Sequence, residues 1–201
     1  DEAAAAELGR FIHKEDFAAM RVVGQFNLGF IIARLGADLF IVDQHASDEK
    51  YNYEELQRTM KIDPQRLIRP LQLDLTAHEE LLASEHLDIL KKNGFDVSID
   101  PTAPPTQRTK LLSVPHSGGG EPFGKKDFEE LLHKLGEDTG ETVRCSRVSA
   151  LIASKACRKS VMIGKALDAG QMRRILLHMG MMDQPWNCPH GRPTMRHLVD
   201  L

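Results

Sequence analysis

Residues 22–42 read VVGQFNLGFIIARLGADLFIV, and residues 43–49 that follow read DQHASDE. β-Branched and aromatic side chains dominate Val22 to Leu35, which predicts a strand, with Gly24 and Gly29 marking a bulge or a close backbone approach. Gly36-Ala37-Asp38 then turns the chain into Leu39-Phe40-Ile41-Val42, a short apolar run of the kind a buried strand shows. The pair predicts a hairpin. Its second strand ends at Asp43 and feeds a polar, helix-compatible stretch from Ala46 to about Met60. A strand end that enters a helix is where folds mixing the two place functional groups.

The alternation continues outward, so the fold class expected is α/β or α+β. Asp63-Pro64 breaks the pattern, and Pro70 to Leu75, Phe95 to Ile99 and Lys110 to Val114 read as strands. Thr76 and Glu79 have the form of a capping box opening a helix that stops near Asn93-Gly94. Pro101, Pro104 and Pro105 mark a loop, and Ser117-Gly118-Gly119-Gly120 a flexible one. Asp127 to Leu135 and Val148 to Arg158 read as helices, and a second capping box, Asp168 with Gln171, opens one that ends at Gly180. The middle third carries its own strands and helices. It is expected to be a subdomain, residues 62–143, inserted into an outer one formed by residues 1–61 and 144–201.

Composition narrows the function classes. The 201 residues are 41% hydrophobic and 27% charged, with 15 Gly and 10 Pro, an ordinary globular balance that argues against disorder. No apolar run reaches the ~18–20 residues of a membrane span. The first residues have neither the basic flank nor the apolar stretch of a signal peptide, and with no initiator Met the chain is expected to be a fragment. Three cysteines cannot form a disulfide framework, so a reducing compartment is expected. The net charge of −3 hides an asymmetry: Arg144, Arg147, Lys155, Arg158, Lys159, Lys165, Arg173 and Arg174 face only Asp168 in the same stretch. On charge alone a solvated helical surface is the simpler account. A basic face for a polyanion, carried by Lys155, Arg158, Lys159, Arg173 and Arg174, is the sharper one.

Nine His make metal chemistry worth testing. His45 and Glu49 are four apart at a helix start, so an imidazole and a carboxylate share one face, with Asp43 at the strand end in reach. By itself that segment is more simply a helix start capped by Asp43. Cys188-Pro189-His190 differs, because a thiolate and an imidazole two apart, stiffened by Pro185, Pro189 and Pro193, make a preset chelate. Cys157, alone on a small-residue helix, is ordinarily core. It gains interest beside two half-sites that want a thiolate. Asp43, His45, Glu49, Cys157, Cys188 and His190 together exceed one tetrahedral site, which points to two ions sharing Glu49. Paired metals beside a basic face make phosphodiester hydrolysis a concrete hypothesis. The rival is a structural zinc site in a binding module.

Asp43-Gln44-His45-Ala46, Glu49 and Glu54 fall at every fixed position of the endonuclease signature of MutL homologues. Ala156-Cys157-Arg158 and Cys188-Pro189-His190-Gly191-Arg192-Pro193 match its two companion motifs in order, and Gly24-Gln25-Phe26-Asn27 its opening strand. The whole chain resembles the C-terminal domain of eukaryotic PMS-type MutL homologues. The resemblance implies a latent nuclear mismatch-repair endonuclease that nicks double-stranded DNA, activated by the sliding clamp and assisted by ATP bound in an N-terminal domain outside this chain. It implies zinc in the site and manganese or magnesium for cleavage, with His45, Glu49, Cys157, Cys188 and His190 as ligands and Asp43 and Glu49 as catalytic residues. It also implies a heterodimer with an MLH-type subunit, whose C-terminal tail can complete the site, and a dimerisation subdomain with an external regulatory insert. Gln65-Arg66-Leu67-Ile68-Arg69-Pro70 matches the family's clamp-binding motif through Gln65, Leu67, Ile68 and Pro70. The competing reading is a non-catalytic, zinc-stabilised dimerisation module. Relatives that do not cut typically lack the set Asp43, Glu49 and Glu54, which is intact here.

Overall fold

The computed structural model describes residues 11–138, 140 and 142–201. Residues 1–10, 139 and 141, which fall inside the expected subdomain bounds, lie outside the described residues. The chain divides into two compact units, one taking the chain up to Leu56 and from Ile152 on, the other Gln57–Leu151. The division falls within two helices rather than at residues 62 and 143, so residues 57–61 and 144–151 group with the middle of the chain.

In the first unit, strands β1 (Arg21–Phe26), β2 (Phe30–Leu35), β3 (Asp38–Asp43) and β7 (Met195–Asp200) form an antiparallel sheet in the order β1-β2-β3-β7. Helices α1 (Lys14–Ala19) and α7 (Ala169–Met181) pack on each other, and α7 packs on β1. Strand alternation sends Ile31, Ala33, Phe40 and Val42 into a core shared with Phe17 and Leu176. The alternate residues Phe30, Ile32 and Ile41 are only half-buried, so the second face of the sheet is apolar but thinly covered.

The single strand expected over Val22 to Leu35 is two strands joined by a turn. Asn27 and Leu28 both take positive φ, +48° and +49°, and the Gly29 amide donates to the Phe26 carbonyl. Left-handed backbone costs a leucine about 1–2 kcal/mol. The Leu28 carbonyl, however, accepts from the Gly164 amide (2.8 Å) and the Gln44 side chain (3.1 Å), which hold the turn in place. Gly29 ends that turn, and the bulge lies instead between Val22 and Gly24. Strand β7 was not anticipated, because only Met195 of its six residues is buried and its composition shows no apolar alternation.

Helix α2 (Gln44–Thr59) follows β3, and α6 (Ser146–Lys159) leads back into the first unit. The second unit holds the antiparallel sheet β4-β6-β5, made of Pro64–Gln72, Thr109–Pro115 and Asp96–Ile99. The helix expected over residues 77–93 is split at His86 into α3 (Ala77–Glu85) and α4 (Leu87–Lys92), because α3 packs on α5 (Lys125–Glu137) while α4 packs on β5. The Thr76–Glu79 capping box is formed. Arg144, counted above with the basic residues, is buried and donates to the carbonyls of Gln57, Met60 and Lys92. Mixed sheet and helix place the chain in the α+β class, and no helix among the described residues is long and apolar enough to cross a membrane.

Candidate metal centre

Three stretches of the first unit supply the site. The first is the β3–α2 junction. Asp43 Oδ1 accepts from the Ala46 amide at 2.8 Å, so its carboxylate closes the first turn of α2. His45, in that first turn, and Glu49, one turn further on, share a helix face. The second is the last turn of α6, which carries Cys157. The third is the loop after α7, where Cys188-Pro189-His190-Gly191 turns back on itself: Gly191 N donates to Cys188 O (2.9 Å) and Cys188 N to Arg192 O (2.8 Å). Gly191 sits at φ +82°, which a glycine adopts freely. The His190 amide also donates to Cys188 Sγ at 3.4 Å.

Cys157 and Cys188 converge on one carboxylate. The ligand atoms of His45, Glu49 and Cys157 lie within 4.8 Å of one another, and so do those of Glu49, Cys188 and His190. Each cluster offers one nitrogen, one oxygen and one sulfur, and Glu49 belongs to both. His45 Nε2 is 3.5 Å from Cys157 Sγ, while His45 Nδ1 is 2.9 Å from the Val161 carbonyl. A carbonyl only accepts, so Nδ1 carries the proton and Nε2 presents its lone pair to the cluster. Glu49 is 2% exposed. Its Oε1 lies 3.1 Å from His190 Nδ1 without the alignment of a hydrogen bond. Burial pushes the Cys157 thiol up, with the Glu49 charge adding to it and Arg192 and Arg158 opposing. Burial pushes Cys188 up as well, again with Glu49 adding to it. Glu49 and two ionised thiols would be three anions in one pocket. A divalent cation is what makes that donor set tolerable, and nitrogen with sulfur suits zinc. The residues therefore fit a metal pair.

Asp43 does not join either cluster. Its capping bond holds it at the helix start, where it lines an open cleft with Phe30, Ile41, Arg192 and Arg196. Lys155, Arg158, Lys159 and Arg174 are exposed. Arg173 is not free for a polyanion: its guanidinium donates to the carbonyls of Phe17, Ala18 and Met20 and closes the end of α1. In the second unit Gln65 and Pro70 are exposed and Ile68 is 102% exposed, while Leu67 is half-buried. The ladder from β4 to β6 skips from Arg66 to Leu71, so residues 67–70 stand out from it.

Several residues support the site through contacts that the sequence does not show. Glu54, buried, accepts from the amides of Asp183 (2.7 Å) and Gln184 (3.2 Å) and so anchors the entry to the Cys188 loop. Gln25 and Gln44 bond each other (2.7 Å) and both reach the Lys165 carbonyl. The signal available for Glu54 and Gln44 was their place in the endonuclease signature.

The model of the MutL C-terminal dimerisation domain matches residues 23–167. The chain belongs to the MutL C-terminal dimerisation family. It is 54% identical to the mismatch repair endonuclease PMS2 of Homo sapiens over 201 residues, which is 100% of this chain and 23% of that protein. It is 48% identical to the DNA mismatch repair protein PMS1 of Arabidopsis thaliana over 212 residues, 99% of this chain and 23% of that protein. Against the DNA mismatch repair protein MutL of Clostridium acetobutylicum it is 31% identical over 192 residues, 92% of this chain and 29% of that protein. Within the MutL family it is thus similar to the C-terminal domain of the eukaryotic PMS type. It spans about a quarter of the length of these relatives.

Proposed function

We propose that this MutL-family domain is the metal-dependent DNA-nicking module of a mismatch-repair protein. The observation that carries the reading is Glu49, buried between two three-donor clusters with an oxygen that has no hydrogen bond. His45 and Cys157 would hold one cation, Cys188 and His190 a second, and Glu49 both. Zinc suits the donors, with manganese or magnesium supporting cleavage. Divalent ions there would supply the water activation and the charge neutralisation that phosphodiester hydrolysis needs.

The chain's own residues bind and orient. The Val161 carbonyl fixes the His45 ring, and Asp43 holds the first turn of α2, which makes it a positioning residue for His45 rather than a ligand. Lys155, Arg158, Lys159 and Arg174 would meet the phosphate backbone of double-stranded DNA. Arg158 follows Cys157 directly and is best placed to neutralise a phosphate at the site. The half-buried sheet face of Phe30, Ile32 and Ile41 would be covered by an MLH-type subunit, whose C-terminal tail would complete the site. Gln65, Leu67, Ile68 and Pro70 would be offered to the sliding clamp. ATP would act through a part of the parent protein outside this chain, in the nucleus.

The test is nicking of supercoiled DNA by this chain with its MLH-type partner, clamp and manganese. Nicked circles are expected. A folded heterodimer that leaves the plasmid intact would contradict the reading and leave the zinc-stabilised dimerisation module in its place.

A further inference from the structure

Residues 160–165, which follow α6, are tied to one side of α2. Asn52 Nδ2 donates to Ser160 Oγ at 2.9 Å, and Ser160 Oγ donates on to the Ala156 carbonyl at 2.7 Å. Asp48 Oδ2 accepts from the Val161 amide at 2.8 Å. His45 Nδ1 lies 2.9 Å from the Val161 carbonyl. Gln44 Nε2 donates to the carbonyls of Met162 (3.1 Å) and Lys165 (3.2 Å). Residues 45, 48 and 52 are spaced three and four apart, so they share a helix face, and the strap runs along it in the opposite direction.

The backbone of Val161 is thus held on both sides of its Cα by α2. Its N–H is bound by the Asp48 carboxylate, and its C=O takes the His45 proton. From this geometry we propose that Asp48 is a positioning residue for the metal pair, acting by anchoring the Val161 backbone, whose carbonyl sets which His45 nitrogen faces the cation and how the ring is turned. The inference rests on the metal reading above and adds a residue to it. The N–H and the C=O of Val161 belong to adjacent peptide groups, so the Asp48 bond acts by fixing the Val161 backbone and with it the direction of the carbonyl that meets His45. An acceptor held in place at Nδ1–H keeps the Nε2 lone pair turned toward the cluster, as the partners of metal-bound histidines do. Asp48 touches neither metal nor substrate, so its action is wholly indirect. A lone helix-surface carboxylate would carry no such role, whereas one at 2.8 Å from the backbone of the strap does.

Two measurements test it on the chain. The first is the protonation of the His45 ring by 15N NMR in metal-free protein. Wild type should show the Nδ1–H form, and Asp48→Ala should shift the ring toward a mixture of both. The second is zinc affinity by competition with a chromophoric chelator. Asp48→Ala should weaken binding about 10- to 100-fold, the range typical for the partners of metal-bound histidines. Asp48→Asn, whose side-chain oxygen still accepts from the Val161 amide, should stay near wild type. Wild-type affinity in Asp48→Ala would overturn the proposal. So would equal loss in both variants, which would assign the effect to the charge of Asp48 rather than to its bond. An Nε2–H ring in wild type would overturn it too, and that reading needs no variant to fold. A wild-type chain that takes up no zinc overturns the metal reading itself. The ring protonation, recorded without metal, tells that failure from a failure of the strap.

Discussion

A buried carboxylate with one oxygen unbonded costs stability unless a cation completes it. Glu49 is such a group, and two thiols with raised pKa values and two imidazoles surround it. Glu49→Lys should therefore abolish nicking and lower bound metal while the heterodimer still forms, which sedimentation of the mixed subunits would register. Normal nicking by that variant would remove Glu49 from the site. Cys145 offers a contrast in the second unit. Burial pushes its thiol from 9.0 up to about 11. The folded state keeps it neutral while the unfolded state ionises above pH 9, so its contribution is complete below pH 9 and is lost as pH rises toward 11. At most about 2–3 kcal/mol is involved. Denaturant unfolding at pH 8 and pH 10.5 should show that part of the slope in wild type and lack it in Cys145→Ala. At this scale the donors were legible, because His45 with Glu49 and Cys188 with His190 carry ligand spacing in sequence. For Asp43 both uses were open, and the helix cap was the simpler one. A carboxylate at a strand end reads the same whether it caps a helix or binds a cation, and only the 2.8 Å bond to the Ala46 amide decides.

Elements divide the basic residues into two kinds. Arg144 and Arg173 point into backbone carbonyls, whereas Lys155, Arg158, Lys159 and Arg174 face solvent. Charge counted along a sequence cannot separate them, since it does not show which guanidinium meets a helix end. Arg173→Ala should cost on the order of 1.5–3 kcal/mol by freeing carbonyls at the end of α1. Thermal unfolding should fall by several degrees, with the salt dependence of DNA binding unchanged. Lys159→Glu with Arg174→Glu should do the reverse, weakening DNA binding and flattening its log–log salt slope by about one unit per lost contact without releasing metal. Loss of the heterodimer in that double variant would assign the two residues to the partner instead. The hairpin β2–β3 and the helix after it were legible from apolar runs and glycines. Strand β7 was not, because five of its six residues are exposed. The protrusion of residues 67–70 from β4 also had no signal in sequence, and it presents Ile68 to solvent. Gln65→Ala with Leu67→Ala should reduce clamp-dependent nicking and spare basal manganese-dependent cleavage. Equal loss of both would mean that the segment serves folding.

Across the whole molecule, the candidate ligands come from positions 45, 49, 157, 188 and 190, all in the first unit, although the second unit interrupts the chain between them. Periodicity gave no way to bring those stretches together. The order of the motifs, matched to the MutL family, did. The β-sheet of the first unit buries one face under helices and leaves the other half-covered, as befits a member of a dimerisation family. The central claim is that Glu49 joins two cation pockets. Its most direct test is the number of divalent metal ions bound per chain at saturation, by equilibrium dialysis and elemental analysis, for wild type and Glu49→Gln. The account predicts two ions in wild type and loss of binding at both clusters in the variant. No metal in wild type, or an unchanged count in Glu49→Gln, would contradict it.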